Sequence, residues 1–214
     1  MIKEVYLIRH SKPLKVNNDK NIDSLQIQNE KQSLSIEGEN IAREKLNIEE
    51  LKDIDKLYSS SYVRAISTAK YIAENNNIEI NIINDFGERK FGINSWDELP
   101  DNFGEKQFLD ENYKTEFGES QKEVRDRTFN ALMNVLENDD KKIAIVFHST
   151  AMLFLLMTWC KVIPDKDKYN VIFNNNIVFC GKCFDYCEIF KLTFDDKNKL
   201  INIENIKYDY VMKK

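Results

Sequence analysis

The sequence predicts an α/β fold, a three-layer α/β/α sandwich with a mostly parallel central sheet. Residues 5–8 and 142–147 are short runs rich in apolar and β-branched residues, which is typical of strands buried on both faces of a parallel sheet. Segments with helical periodicity alternate with such runs, as they do in β-α-β units. At 214 residues the chain can bury a full sheet under helices on both faces, and we expect a single domain spanning residues 1–214.

Both histidines of the chain stand directly after these two strands. His10 follows Arg9 at the end of the first run, and His148 ends the second and precedes Ser149. In open α/β sheets, ligands bind at the carboxyl ends of the strands. Two unrelated structural histidines are the alternative, but a satisfied core histidine is not expected twice in the same context. The pattern therefore predicts a site that contains Arg9, His10 and His148.

Charge and hydropathy exclude several classes of protein. The net charge is −5, which argues against a general nucleic-acid or membrane-surface binder. An anionic substrate must therefore be attracted by a local cationic pocket. The N-terminus has no apolar run typical of a signal peptide, and nowhere do 18 apolar residues occur together, so we expect a cytoplasmic protein. The sequence does not indicate an oligomeric state.

Four cysteines lie late in the chain, and three of them have a spacing that metal sites use. Cys180, Cys183 and Cys187 form the cluster, and Cys160 stands apart. No second ligand pair accompanies the cluster. Its neighbours are largely apolar, and free cysteine often serves as a small core residue in such surroundings. We therefore expect core cysteines and no metal site, and no disulfide in a reducing compartment.

The first half of the chain continues with a long polar segment and two helices. Residues 12–32 form a polar loop that leaves directly from Arg9 and His10, so it is either a lid over the site or a loop without a role there. Ser35 is predicted to cap a helix that ends near residue 46. Residues 56–60 read as a second strand, and 78–83 as a strand near the sheet edge.

Arg64 has an unusual position in the helix predicted for residues 62–75, for which Ser61 is the expected N-cap. A cation in the first turn opposes the helix dipole. The placement is reasonable if an anion binds between Arg64 and the free N–H groups of the helix. A solvated surface arginine is the alternative.

The second half is predicted as an irregular segment, two helices around the His148 strand, and a final hairpin. Glycines and a proline interrupt residues 85–108. Apolar periodicity predicts a helix over 121–138, and an almost wholly apolar run predicts a buried helix over 151–160. Residues 189–194 and 200–208 complete the chain as a hairpin.

Six short motifs resemble, in order, those of the histidine phosphatase superfamily, also called the phosphoglycerate mutase-like family. The run Leu-Ile-Arg-His that ends at His10 resembles the Arg-His-Gly signature of that family. The other matches are residues 34–38, 59–65, 88–92, 118–120 with Glu123 and Arg127, and 147–149. Each motif alone is weak, but six of them in the right order, from residue 5 to about 150, identify the chain as similar to this family.

The resemblance implies a phosphomonoester hydrolase that acts through a phosphohistidine on a small phosphorylated metabolite, without a metal or another cofactor. His10 would be the nucleophile, kept neutral by nearby cations. Arg9 and Arg64 would clamp the phosphate oxygens, and His148 would donate a further hydrogen bond. Glu88 would be the general acid, with Asp85, Asp97 and Glu98 as alternatives.

The chain departs from the family pattern at two positions. Ser11 and Ser149 stand where the family has glycine after each histidine, and either hydroxyl could lie near the phosphate. A phosphoglycerate mutase is the second interpretation, but the segment of some thirty residues between Glu88 and Glu119 is too short for the insertion that the mutases share. A non-catalytic phosphate-binding module is the third, and the complete set of expected site residues argues against it.

Overall fold

The computed structural model describes residues 1–16 and 24–207. Six strands form the central sheet, in the spatial order β3 (Ile80–Ile82), β2 (Lys56–Ser59), β4 (Lys142–Phe147), β1 (Lys3–Arg9), β8 (Ile189–Phe194) and β9 (Leu200–Ile206). The first four run parallel, whereas β8 is antiparallel to β1 and β9 is antiparallel to β8. The mostly parallel sheet is thus confirmed, with β3 at its edge as predicted.

The structure describes six α-helices, four of which pack on the two faces of this sheet. The six are α1 (Leu25–Lys31), α2 (Ile36–Lys45), α3 (Val63–Asn76), α4 (Phe103–Leu109), α5 (Gln121–Leu136) and α6 (Ser149–Leu156). Side chains alternate along β1, so that Val5 and Leu7 pack with α5 and α6, while Tyr6 and Ile8 pack with α2 and α3. This alternation follows from the period of two along a strand. The three layers predicted from the sequence are confirmed.

Strands β1 and β4 end at the same level of the sheet. Leu7 pairs with Ile145 and Arg9 pairs with Phe147, and the His10 N–H continues the ladder by donating to the Phe147 carbonyl at 2.9 Å. Residues 5–8 and 143–147 are fully or almost fully buried. Packing on both faces of the sheet therefore specifies the register of β1 against β4. The two histidines that follow these strands therefore emerge at the same sheet edge.

A second, three-stranded antiparallel sheet was not predicted. It contains β5 (Lys161–Asp165), β6 (Lys168–Phe173) and β7 (Asn176–Gly181). The two asparagines at 174 and 175, with φ of 46° and 65°, form the turn between β6 and β7. Such paired left-handed residues are the requirement of a type I′ hairpin.

The expectation of core cysteines is wrong for two of the three in the cluster. Cys180 on β7 and Cys183 just after it are exposed, because this small sheet presents one side to solvent. Cys160 and Cys187 are buried, and burial raises the pKa of each thiol to about 12. All four are free thiols.

Helix boundaries confirm one predicted cap and correct another. The Ser35 hydroxyl accepts from the Gly38 N–H at the start of α2. Ser61, in contrast, is exposed and does not cap α3, whose N-cap is Tyr62 without a side-chain bond.

Two further segments differ from their predictions. The buried helix begins at Ser149 and ends at Leu156, so it is shifted toward His148 and ends before 160, where a turn leads into β5. The segment 85–108 is only partly irregular, because it includes short 3-10 turns and the start of α4. None of the helices in the described ranges is long and apolar enough to cross a membrane.

Candidate active site

Arg64 joins the two histidines at the sheet edge. Its Nε donates to His10 Nε2 at 3.1 Å, and its Nη2 donates to His148 Nδ1 at 3.1 Å. The ring centroids of the two histidines lie 5.1 Å apart. Arg64 is 4% exposed, so the alternative of a solvated surface arginine is wrong. The first turn of α3 thus delivers a buried guanidinium to the ends of β1 and β4.

The hydrogen bonds of His10 define its tautomer. Its Nδ1 lies 2.7 Å from the carbonyl oxygen of Ser11, and a guanidinium N–H can only donate. Nδ1 therefore carries the proton, and Nε2 presents a lone pair. Burial, reinforced by the charges of Arg64 and Arg9, lowers the pKa of His10 well below its ordinary value. The result is a neutral imidazole whose Nε2 can act as a nucleophile.

His148 has the opposite tautomer. Its Nδ1 accepts from Arg64, so Nε2 carries the proton and donates to the Ser60 hydroxyl at 2.8 Å. The Tyr62 ring packs against it, with centroids 4.5 Å apart. Burial and the charge of Arg64 lower the pKa of His148 well below its ordinary value. Ser60 and Tyr62 belong to the motif at 59–65, but no role was predicted for either of them.

Arg9 retains a free donor beside this pair. Its Nη1 donates to the carbonyl of Phe184, and its guanidinium lies 4.6 Å from the centroid of the Tyr186 ring. Its Nε is buried and makes no hydrogen bond with any residue that the structure describes. A buried donor without a partner costs about 1–3 kcal/mol. An anion at this position would satisfy it.

Glu88 is held at the N-terminus of α6, the helix that follows His148. Its Oε1 accepts from the backbone N–H groups of Ala151 and Arg89, both at 2.9 Å, and Oε2 accepts from the Thr150 N–H at 3.3 Å. Oε2 therefore has the weaker bonding of the two carboxylate oxygens. The alternatives Asp85, Asp97 and Glu98 are all exposed, and the Glu98 carboxylate accepts from the Asn94 N–H at 3.1 Å.

Arg127 on α5 fixes the loop that carries Glu88. Its guanidinium donates to the carbonyls of Asp85, Gly87 and Glu88. It also pairs with both carboxylate oxygens of Glu119, at 2.7 and 2.9 Å. Burial opposes the charge of Glu119, but Arg127 outweighs it and lowers the pKa of that carboxyl. The sequence comparison singled out Glu119 and Arg127 as motif residues without showing what they do.

The two serines that replace glycines have different surroundings. Ser11 is buried, and its hydroxyl donates to the Gly38 carbonyl at 2.6 Å. That hydroxyl therefore serves the contact between β1 and α2. Ser149 is half-buried at the first position of α6, where backbone N–H groups and the helix dipole favour an anion.

Helix α1 lies against the site, as the lid interpretation of the polar loop requires. Gln26 donates from Nε2 to the Tyr62 hydroxyl at 2.7 Å, and the Asn29 carbonyl accepts from Arg64 Nη1. The ends of the loop are held together by the bridge between Pro13 and Leu34. Residues 17–23 of the predicted lid lie outside the described residues.

Within the described ranges, no group of three or more His, Cys, Asp or Glu side chains could hold a metal ion. The site consists of two neutral imidazoles, two guanidiniums and one carboxylate. Such a set can bind a phosphate and supply both a nucleophile and an acid.

Solved structures with the same fold cover nearly the whole chain. A mycobacterial glucosyl-3-phosphoglycerate phosphatase matches with a TM-score of 0.68 at 15% identity, over 96% of this chain and 97% of that one. A mycobacterial hydrolase has a TM-score of 0.69 at 14% identity, over 97% and 100%. Phosphoserine phosphatase from Entamoeba histolytica, in complex with 3-phosphoglyceric acid, has a TM-score of 0.62 at 19% identity, over 98% of each chain.

Sequence comparison gives the family directly. No curated protein sequence matches the chain. The family model of the histidine phosphatase superfamily (branch 1) matches residues 5–179, a range that includes both histidines, Arg64, Glu88 and Arg127. The chain belongs to the histidine phosphatase superfamily, branch 1.

Proposed function

We propose that this enzyme is a metal-independent phosphomonoester hydrolase that acts on a small phosphorylated metabolite through a phosphohistidine at His10. The observation that carries the proposal is the Arg64 guanidinium, which bridges His10 Nε2 and His148 Nδ1. A phosphate bound there would meet a cation and a nucleophilic nitrogen together. The names of the structural neighbours, which refer to small phosphorylated metabolites, support this class of substrate.

Substrate binding would rearrange the donors of the site. Arg64 turns its fork from the imidazoles to the equatorial phosphate oxygens, for which guanidinium has the matching geometry. The free Nε of Arg9 binds another oxygen. The negative charge of the phosphate favours protonation of His148 at Nδ1. His148 then donates to the phosphate from Nδ1 and keeps its Nε2–H bond to Ser60.

Two displacements at phosphorus would follow. His10 Nε2 attacks in line, so that a P–N bond forms and the P–O bond to the alcohol breaks, and Glu88 gives its proton to the departing oxygen. Water then attacks phosphohistidine and gives its proton to Glu88, the P–N bond breaks, and inorganic phosphate forms. The cations stabilise the charge on the transferring group in both steps.

Trapping of the intermediate tests the nucleophile. Brief reaction with a ³²P-labelled phosphomonoester, followed by an alkaline quench that preserves phosphohistidine, should place the label on His10. His10→Ala should lose turnover by roughly a thousandfold or more, as expected for a covalent nucleophile. Label on His148, or near-normal activity in His10→Ala, would contradict the assignment.

Chelation and vanadate test the metal-independent part. Activity should persist after exhaustive dialysis against chelator, and vanadate should inhibit because it mimics five-coordinate phosphorus. Activity lost in chelator and restored by zinc or magnesium would overturn metal independence and leave the His10 assignment to the trapping experiment.

A further inference from the structure

A pocket of about 270 Å³ lies between helix α1 and the loop that follows Glu88. Its lining includes Gln26 and Asn29 on one side, and Phe91, Asn94 and Trp96 on the other. Ligand pockets commonly have volumes of roughly 300–1,000 Å³. A cavity just below this range fits one small metabolite ring and does not fit a protein segment.

The pocket adjoins the candidate site through the wall that helix α1 forms. Gln26 donates to Tyr62, whose ring packs on His148, and the Asn29 carbonyl accepts from Arg64. Phe91 follows the proposed acid Glu88 by three residues. An alcohol that receives its proton from Glu88 would thus have this pocket within reach.

At the outer wall of the pocket, two loops approach each other closely through their backbones. Gly92 has φ of +64°, and a Cβ built there would lie 2.1 Å from the Gly118 nitrogen. The Thr115 hydroxyl also donates to the Phe91 carbonyl. These contacts fix Phe117, another lining residue, beside the Phe91 loop.

Two aromatic rings of the pocket are exposed to an unusual degree. Trp96 is 55% exposed and Phe117 is 78% exposed, although large aromatic side chains usually bury most of their surface. Trp96 makes an edge contact with Phe91, with centroids 5.1 Å apart. Exposed rings beside a concave polar site are typical of surfaces that stack on a ligand ring.

The described residues that line the pocket are polar or apolar but uncharged. The side-chain amides of Asn29 and Asn94 make no hydrogen bond with another described residue. Gln26, in contrast, donates from Nε2 to Tyr62 and Glu30 and offers only its carbonyl oxygen.

Arg89 lies over Phe91 and donates from Nη1 to Gln107. Its Nε is buried without a partner among the described residues, and the residue does not line the pocket. An acidic leaving group would have to lose water there without gaining a cation. Hydroxyl groups, in contrast, match the amides.

We propose that this pocket binds the alcohol part of the substrate, and that this alcohol is an uncharged, hydroxylated ring, as in a sugar or a nucleoside. The inference rests on the proposed phosphatase activity and specifies its substrate class. The ring stacks on Trp96 and Phe117, and its hydroxyls bond to the side-chain amides.

A panel of four phosphomonoesters tests the proposal on the full chain: glucose 6-phosphate, uridine 5′-monophosphate, 3-phosphoglycerate and ethyl phosphate. We expect kcat/KM for at least one ring ester to exceed that for the other two by about tenfold or more, the scale of one stacking contact. Preference for glucose 6-phosphate would indicate a sugar, and preference for uridine 5′-monophosphate a nucleoside.

Variants link the preference to the pocket. Trp96→Ala and Phe117→Ala should each lower kcat/KM for the preferred ring ester about tenfold. Neither should change kcat/KM for ethyl phosphate by more than about twofold. Leu109→Ala is the matched control, because Leu109 is 78% exposed on the same segment and does not line the pocket. Both substituted side chains are exposed, so folding should be retained.

Three outcomes would overturn the inference. Preference for 3-phosphoglycerate, or a ring preference that both aromatic variants retain, would refute the pocket while hydrolysis itself upholds the proposed phosphatase activity. Hydrolysis of none of the four esters would remove the phosphatase activity and the inference together.

Discussion

Arg64 donates from Nε to the very atom of His10 that is proposed to attack phosphorus, across 3.1 Å. The bond keeps the Nε2 lone pair directed at a cation, and it must break before Nε2 can reach phosphorus. Burial also lowers the pKa of Arg64 from its ordinary value. The guanidinium is therefore held in a costly environment that a phosphate dianion would relieve.

Arg64→Lys should lower kcat/KM by about a hundredfold, because lysine keeps the charge but loses the planar fork that spans both imidazoles and the phosphate oxygens. Steady-state kinetics with a small alkyl phosphate would measure this. Arg43→Lys, on the exposed side of α2, is the matched control and should leave kcat/KM unchanged. Equal activity in the two variants would show that charge alone suffices.

Glu88→Gln should depress kcat for alkyl phosphates by about a hundredfold, as loss of a general acid does, and much less for nitrophenyl phosphate, whose leaving group needs no proton. The glutamine carbonyl can still accept from the N–H groups of Ala151 and Arg89, as Oε1 of Glu88 does, so the loop should remain in place. Asp85→Asn and Glu98→Gln are controls that should leave kcat for both substrates unchanged. An equal loss for both substrates would make Glu88 a positioning residue.

Arg127→Gln should imitate Glu88→Gln in a weaker form, since Arg127 acts on the backbone that carries Glu88. We expect a drop of about tenfold in kcat for alkyl phosphates, and little further effect in a Glu88→Gln background, because residues that act as a unit are not additive. Arg125 lies on the same helix as Arg127 and pairs with Glu111. Arg125→Gln breaks that pair and should have no such effect on kcat. If the loss in kcat of the double variant, expressed as a free energy, equalled the sum of the two single losses, Arg127 would act independently of Glu88.

NMR should show two imidazoles that do not titrate near about 6.5, the ordinary histidine pKa. Burial is the main cause that lowers the pKa of both His10 and His148. Since the chain has only these two histidines, their ring signals can be followed from pH 8 to 5 without ambiguity. A signal with a midpoint near 6.5 would contradict the burial of that ring.

The same shifts set the sign of a stability effect. Below about pH 6.5 the histidines bind protons in the unfolded chain but stay neutral in the folded one, so acid favours unfolding. Each neutral imidazole contributes to the free energy of unfolding, and this contribution is fully present above the histidine pKa of the unfolded chain. It is lost as pH falls, and the free energy of unfolding then decreases by up to about 1.4 kcal/mol per pH unit for each histidine. Urea unfolding of the wild type and of His10→Asn at pH 7.5 and 5.5 should show the shallower dependence in the variant.

Gly38→Ala should destabilise the fold, because the new Cβ would lie 2.0 Å from the carbonyl oxygen of Lys12. The expected loss is about 1–3 kcal/mol, typical of overpacking. Gly104→Ala is the matched control: nothing lies within 4 Å of that Cβ, and alanine in α4 should be neutral or stabilising by about 0.5–1 kcal/mol. Thermal melts of the two variants should therefore move in different directions. A Tm for Gly38→Ala at or above that of the wild type would show that the backbone yields.

The parts of the fold that sequence reasoning predicted well are those with strong local signals. The β1 and β4 runs are apolar on both faces, and the Ser35 cap is a local hydrogen bond, so neither depends on distant chain. The hairpin of β6 and β7 had a signal too, in the adjacent asparagines 174 and 175. It was missed because Pro164 and the polar residues of β5 obscured the alternation of a half-exposed sheet.

The site was predicted through its histidines and arginines, but its supporting contacts were not. The bond from His148 to Ser60 spans 88 positions of the chain, and the Arg127 contacts with the Glu88 loop span about 40. No local pattern reports which of two adjacent serines turns toward a distant imidazole. The opposite tautomers of the two histidines likewise follow from Arg64 being shared between them, which is a property of the packed molecule.

In the proposed reaction, helix α1 would impose an exchange of hydrogen-bond partners at Arg64. None of its residues is buried, yet the Asn29 carbonyl occupies a donor of Arg64. A phosphate that uses this donor competes with a group of the chain itself. The apparent affinity is therefore the intrinsic affinity multiplied by the fraction of molecules in which the carbonyl has withdrawn. The same carbonyl would displace departing inorganic phosphate, so a helix that weakens substrate binding would also favour product release.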